Sequence, residues 1–210
     1  MHNAVVGMTL PYYSKYILLN DGWVYSVLYT TEFLIFGIGS FSCSLLLKKM
    51  TKRDIAMYGA VIAVLGQIIL FFNPINLATV ITSIVIRSIG VSTLFAVIFG
   101  MLADTVEYGQ WKTHTRYEGL IFSSASLGSK VGPGLMSALI GALLSYAGYI
   151  STTSGVVVQQ PESAKNMIMM LYQWVPIVVW LAVGIILYFY KLDSIYAVSY
   201  THLRAHETLA

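Results

Sequence analysis

The chain has 210 residues, of which 57% are hydrophobic and only 10% charged, with a formal net charge of +3 and a mean hydropathy of +0.74. A soluble domain carries roughly 25% charged residues, so the shortage of charge excludes an ordinary water-soluble fold and points to the bilayer. The basic excess falls in loops between apolar runs rather than on one face, which excludes a nucleic-acid surface, and the single cysteine, Cys43, excludes an intrachain disulfide or a multi-cysteine metal centre.

A bilayer core needs about 20 apolar residues in a helix. Residues 1–10 are too few. They carry no basic start and no cleavage pattern, so they are not a signal peptide, and they read as the tail end of a span whose beginning is missing. Pro11 and the run Tyr12-Tyr-Ser-Lys-Tyr16 follow. Full spans are expected over residues 23–47, 55–72 (slightly short), 77–102, 120–149 and 168–190. Together residues 1–192 form one helical membrane bundle. Between the first two full spans lie Lys48, Lys49, Lys52 and Arg53; Lys112 and Arg116 lie between the third and fourth, and Lys191 follows the last. The alternate loops are poorer in base, so the positive-inside rule puts the basic loops in the cytoplasm. Trp23, Phe72, Tyr149 and Tyr190 at span ends suit the interfacial belt. The expected location is the cell inner (plasma) membrane, multi-pass, with the lipid bilayer as the immediate partner. The loop over residues 151–164, with Pro161, is expected outside.

Residues 198–210 read as the translation of a transposase-type sequencing adapter and are set aside as an artefact. That removes His202 and His206, which would otherwise suggest an i,i+4 metal pair.

Three charges lie within spans: Glu32, Arg87 and Lys130. Each costs up to about 2.5–3.5 kcal/mol at a helix centre, so each marks a site or an ion pair. Glu32 and Arg87 can pair with each other; for Arg87 a packing salt bridge and a cavity lining are both open. At helical spacing Ser123, Ser126, Lys130 and Gly134 share one small, polar face suited to a wet cavity. Beside it, Gly128 and Gly132 form a small-xxx-small pair that admits another helix, and Pro133 kinks or breaks the helix at that depth. Packing explains most of Gly37, Gly39, Gly59, Gly66, Gly90 and Gly100.

No catalytic set is present. Cys43 has no His partner, Glu32 stands alone among intramembrane acids, and no HExxH, GxSxG or P-loop spacing occurs. The chain is not expected to be an enzyme and needs no cofactor.

Between the third and fourth spans runs Asp104-Thr-Val-Glu107-Tyr108-Gly-Gln-Trp111-Lys112-Thr-His-Thr-Arg116-Tyr-Glu118-Gly119. Five charges and four aromatic or His rings in sixteen residues call for water, so this is a cytoplasmic connector. Its long, ungapped order of acidic, aromatic and basic residues, continued by Leu-Ile-Phe-Ser123 and Lys130 and preceded by Tyr12-Tyr-Ser-Lys-Tyr16, resembles the connector between helices ten and eleven of the glycoside–pentoside–hexuronide:cation symporters, within the major facilitator superfamily. The resemblance implies an all-α membrane protein: the C-terminal six-helix half of a twelve-helix major facilitator fold, its first helix truncated. It implies sugar or glycoside symport with Na⁺ or H⁺ by alternating access, with a missing N-terminal half as partner. By the same resemblance Lys130, Ser126 and Phe95 contact the sugar, although Phe95 stands where a relative has Trp. Asp104, Glu107, Tyr108, Trp111, Lys112, Arg116 and Glu118 form the cytoplasmic gate. The coupling cation is implied to bind mainly in the absent half, and Glu32 is not assigned to it. The alternatives are a lysolipid or drug carrier on the same fold, or a non-transporting membrane fragment.

Overall fold

In the computed structural model, residues 2–19, 22–151, 159–190 and 192 are described. Lys191, residues 152–158 of the expected outer loop and the adapter-like 198–210 segment lie outside them. Six helices follow one another: α1 (His2–Tyr16), α2 (Trp23–Leu46), α3 (Lys52–Ile69), α4 (Leu77–Thr113), α5 (Glu118–Tyr146) and α6 (Glu162–Phe189). No strand occurs among the described residues. Four of the helices, α2, α4, α5 and α6, are long and apolar enough to cross a bilayer. In α3 the first turn is Lys52-Arg53-Asp54, which leaves fifteen residues of apolar helix, about 22 Å at 1.5 Å per residue.

The helix ends follow from local chemistry. Thr51 caps α3 by accepting from the Asp54 amide at 3.1 Å, and Asn76 caps α4 by accepting from the Ala78 amide at 2.8 Å. At the other end of α4, His114 adopts the left-handed conformation (φ 55°) and its amide bonds the Gln110 carbonyl. The 37 residues of α4 span about 55 Å, well beyond a hydrocarbon core of about 30 Å. The first ten residues of the charged connector are therefore a rigid extension of α4 rather than a loop; only the segment from His114 to Tyr117 turns. Likewise Tyr12–Tyr16 belongs to α1, which runs on through Pro11. The expected break at Pro133 does not occur either: α5 continues through it to Tyr146.

The bundle centres on α3 and α4, with α2 against α4, α6 against α3, and α1 against α5 and α6. Small residues let α3 and α4 touch backbone to backbone. A methyl added at Gly90 would stand 2.4 Å from the Gly59 carbonyl oxygen and 2.5 Å from the Ala63 nitrogen. One added at Gly66 would stand 2.5 Å from the Arg87 nitrogen. Such approach is how helices associate where hydrocarbon removes the hydrophobic drive. Gly128 has nothing within 4 Å of its Cβ position, whereas Gly132 is buried. At the outer end α1 docks through Tyr13, whose ring stacks on Tyr172 with centroids 4.3 Å apart and whose hydroxyl donates to the Pro74 carbonyl. At the inner end the Arg53 guanidinium donates to the Leu187 and Tyr188 carbonyls at 2.9 and 2.8 Å, closing the last turn of α6 with a cation at its negative pole.

Gly90→Ala in the full-length protein is expected to lower the thermal unfolding midpoint in detergent, at a cost of about 1–3 kcal/mol for overpacking. Gly37→Ala, whose methyl meets nothing within 4 Å, leaves the midpoint unchanged or slightly raised. Equal midpoints for the two variants would show that α3 and α4 do not cross this closely.

Candidate functional site

Two sets of polar side chains are built on α4, one in mid-span and one at its cytoplasmic extension. The mid-span set begins with Arg87, which is 0% exposed. A buried guanidinium must be neutralised and hydrogen-bonded in place. Glu32 of α2 stands 3.5 Å from Arg87 Nη2, and Arg87 Nη1 donates to Gln67 Oε1 of α3 at 3.0 Å. The guanidinium also lies over the Tyr172 ring of α6, 5.6 Å from its centroid. Gln67 Nε2 in turn donates to the Tyr172 carbonyl at 2.7 Å. Pro176 lies four residues beyond Tyr172 in α6 and has no amide to offer that carbonyl. Gln67 supplies the missing donor, so α2, α3, α4 and α6 are tied together around one cation.

On the far side of Glu32 is a cavity of about 300 Å³ between α1, α2 and α4, lined by Asn3, Gly7, Tyr29, Glu32, Phe33, Phe36 and Phe95. That is at the small end of the usual range for small-molecule sites, about 300–1,000 Å³. Phe36 and Phe95 meet edge to face within its wall, centroids 5.2 Å apart. Glu32 is thus shared: Arg87 holds it from behind, and it forms part of the cavity wall. Arg87 is sealed off and does not line the cavity. Pro11 follows Gly7 by four residues in α1 and removes the amide that would bond the Gly7 carbonyl, which leaves an acceptor at the cavity's edge.

Of the three predicted substrate contacts, the structure puts Phe95 in this wall. Ser126 and Lys130 stand elsewhere, on α5. With Ser123 and Gly134 they form one exposed face that no described helix covers. Gly7 also lines a second cavity of about 370 Å³ between α1 and α5, whose α5 wall is Ser137, Ile140, Gly141 and Leu144 and includes neither Ser126 nor Lys130. Asn3, Tyr29 and Phe36 carry no pattern that would single them out in the sequence; they become neighbours of Phe95 only once α1 and α2 are placed.

Toward the C-terminal end of α4, Asp104 is buried, and both its carboxylate oxygens accept from Lys52 Nζ at 2.7 Å. Lys52 lies at the start of α3 and also reaches the Gly100 carbonyl at 3.5 Å. The rest of the connector is more exposed. Arg116 donates to Glu118 at 2.9 Å and to Gln110 at 3.1 Å. Tyr108 and Trp111 rings lie 5.9 Å apart, and Glu107 and Lys112 face outward. Asp104 is held by this ion pair to another helix of the bundle. Lys52 was assigned to loop charge alone on sequence grounds. The available signal was Asp104 itself, a carboxylate directly after a 27-residue apolar run, which needs a cation at the same depth.

The family described as MFS/sugar transport protein matches residues 2–194. An isoprimeverose transporter of Lactiplantibacillus pentosus is 36% identical over 150 residues, covering 70% of this chain and 30% of that protein. A glucuronide carrier protein homolog of Escherichia coli is 29% identical over 153 residues, covering 72% and 32%. The putative glycoside/cation symporter YagG of the same species is 26% identical over 198 residues, covering 91% and 41%. This chain therefore spans about a third of the length of these relatives, which are named as transporters and symporters and not as enzymes. No solved structure matches.

Separate Lys52→Met and Asp104→Asn substitutions are each expected to destabilise the full-length protein in a chemical-unfolding assay. The double variant should lose less than the sum, with a coupling of about 0.5–3 kcal/mol. Strict additivity would mean that the contact carries no net interaction.

Proposed function

Because this chain belongs to the MFS/sugar transport protein family, and so to a multi-pass membrane protein, we propose that it is the C-terminal half of a sugar or glycoside carrier that moves its substrate inward with Na⁺ or H⁺. The observation that carries the proposal is the cavity at the α1–α2–α4 junction, where an aromatic pair meets a carboxylate. Aromatic rings offer flat apolar faces to the C–H face of a pyranose, and Glu32 offers an acceptor to its hydroxyls. Few other small solutes need both kinds of surface within one small volume. Lys130 and Ser126 add a donor-rich face on α5. It is uncovered in this half, as a surface that meets the substrate and a second helical half would be.

In this proposal sugar binds between two six-helix halves near the midplane, and rocking of the halves exposes it to each side in turn. The coupling cation binds mainly in the N-terminal half. The exposed connector residues Glu107, Tyr108, Trp111, Lys112, Arg116 and Glu118 meet that half in one state and part from it in the other. Asp104, held to Lys52, anchors the strip to its own half.

Lys130→Ala in the full-length carrier is expected to reduce uptake of radiolabelled sugar by about tenfold or more, the loss of one good polar contact being about 1.4 kcal/mol, with the protein still present in the membrane. Unchanged uptake would remove Lys130 from the substrate site.

A further inference from the structure

We infer that the cavity between α1, α2 and α4 selects uncharged, hydroxyl-rich glycosides and discriminates against anionic sugars, because the charge in its wall is the Glu32 carboxylate while the cation that balances Glu32 is sealed behind that wall. The inference rests on the proposal that the intact protein carries sugars, and it narrows the substrate class.

Glu32 is the only charged residue lining the cavity among the described residues. Its side chain keeps 21% exposure, whereas that of Arg87 keeps none. Arg87 itself is 0% exposed; its Nε and Nη2 make no hydrogen bond, but its Nη1 donates to Gln67 at 3.0 Å and the guanidinium lies over the Tyr172 ring. Gln67 is fixed in turn by the Tyr172 and Gln173 carbonyls at 2.7 and 3.3 Å. Swinging Arg87 out would leave those groups without their partner in an apolar surrounding, where unmade hydrogen bonds are costly. An entering carboxylate or sulfonate would therefore meet a like charge and no available cation in this wall. Lys130, which the proposed function places on the substrate-facing side of α5, lines no part of this wall, so the selection set by the wall does not involve it.

The same wall is well suited to neutral polyols. A carboxylate held from behind by an arginine still has lone pairs for two hydroxyl donors. The Gly7 carbonyl, deprived of its helical donor by Pro11, is a further acceptor. Asn3 offers both a donor and an acceptor, and the edge-to-face Phe36–Phe95 pair supplies the apolar face. Acceptors outnumber cationic donors, which matches a ring of hydroxyl groups and not an acid.

The test compares matched sugars that differ only in charge at C6. The purified full-length carrier is titrated with methyl β-glucoside against methyl β-glucuronide, and with methyl β-galactoside against methyl β-galacturonide. In the wild type each neutral sugar that binds is expected to bind at least about tenfold more tightly than its uronide, since like-charge juxtaposition is strongly unfavourable. Glu32→Gln is expected to shrink that gap to within about threefold. Glu32→Asp keeps the charge and should keep the gap while weakening the neutral sugar. Equal binding of the two members of a pair to the wild type would overturn the inference and leave the carrier proposal standing; so would a gap that survives in Glu32→Gln or closes in Glu32→Asp. If Glu32→Gln does not reach the membrane, the wild-type comparison and Glu32→Asp still decide. Binding of no sugar, neutral or charged, would sink the carrier proposal itself and this inference with it.

Discussion

Removing a guanidinium from water inside a membrane protein is costly unless it is paired and hydrogen-bonded where it stands, and the bundle is arranged around that requirement at Arg87. Glu32, Gln67 and the Tyr172 ring reach it from α2, α3 and α6. None of these helices can shift its register without withdrawing a partner. Breaking a buried pair from one side costs about 3–5 kcal/mol, so the cation is a weak source of stability and a strong source of uniqueness. It specifies which faces of four helices meet. The backbone repair at the Tyr172 carbonyl belongs to the same arrangement. Pro176 opens the hydrogen-bond ladder of α6, Gln67 closes it at 2.7 Å, and the proline becomes a reason for α3 and α6 to stay together.

The close crossing of α3 and α4 makes this possible. Gln67 reaches Arg87 because Gly66 lies against the Arg87 backbone. One methyl at Gly66 would separate the helices that the hydrogen bond spans. Backbone proximity and side-chain pairing are thus one constraint, met by small residues on α3 and by one long cation on α4. At the cytoplasmic end the pairing is reversed: α3 contributes the cation, Lys52, and α4 the anion, Asp104. Gly100 again supplies room, since a methyl there would stand 3.3 Å from Lys52 Cε.

Much of this was legible in the sequence, for physical reasons. The bilayer imposes length and apolarity on each span, so the helical character and order of the elements follow from hydropathy. Glu32 and Arg87 announce themselves because charge in hydrocarbon is expensive. What hydropathy does not encode is where a helix ends once it leaves the membrane. Residues Asp104 to Thr113 read as a polar loop, yet they extend α4, since a helix with intact backbone bonds continues into water until a residue such as His114 turns it. Partner identity was also hidden. Lys52 read as one of four loop cations, because only the α3–α4 packing sets it apart from Lys48 and Lys49. The cavity wall was the least legible part. Asn3, Tyr29 and Phe36 are ordinary residues on three separate stretches of α1 and α2, and only tertiary placement gathers them around Phe95.

The length of α4 gives the two ends of the molecule a mechanical relation. Phe95 in the cavity wall and Asp104 in the cytoplasmic ion pair are nine residues apart on one uninterrupted helix, about 14 Å. Neither a proline nor a 3₁₀ turn lies between them, so the segment lacks the usual causes of a kink. Both ends are also braced against α3, by the Gly90 crossing on the outer side of Phe95 and by Lys52 at Asp104. A movement of α4 at the cavity must then carry α3 and residues 104–113 with it. Coupling between these two ends of α4 needs no chain of side-chain contacts along the way. It needs only that α3 and α4 move as one body, and the Lys52–Asp104 ion pair, the Gln67–Arg87 hydrogen bond and the glycine crossing between them are what make that so.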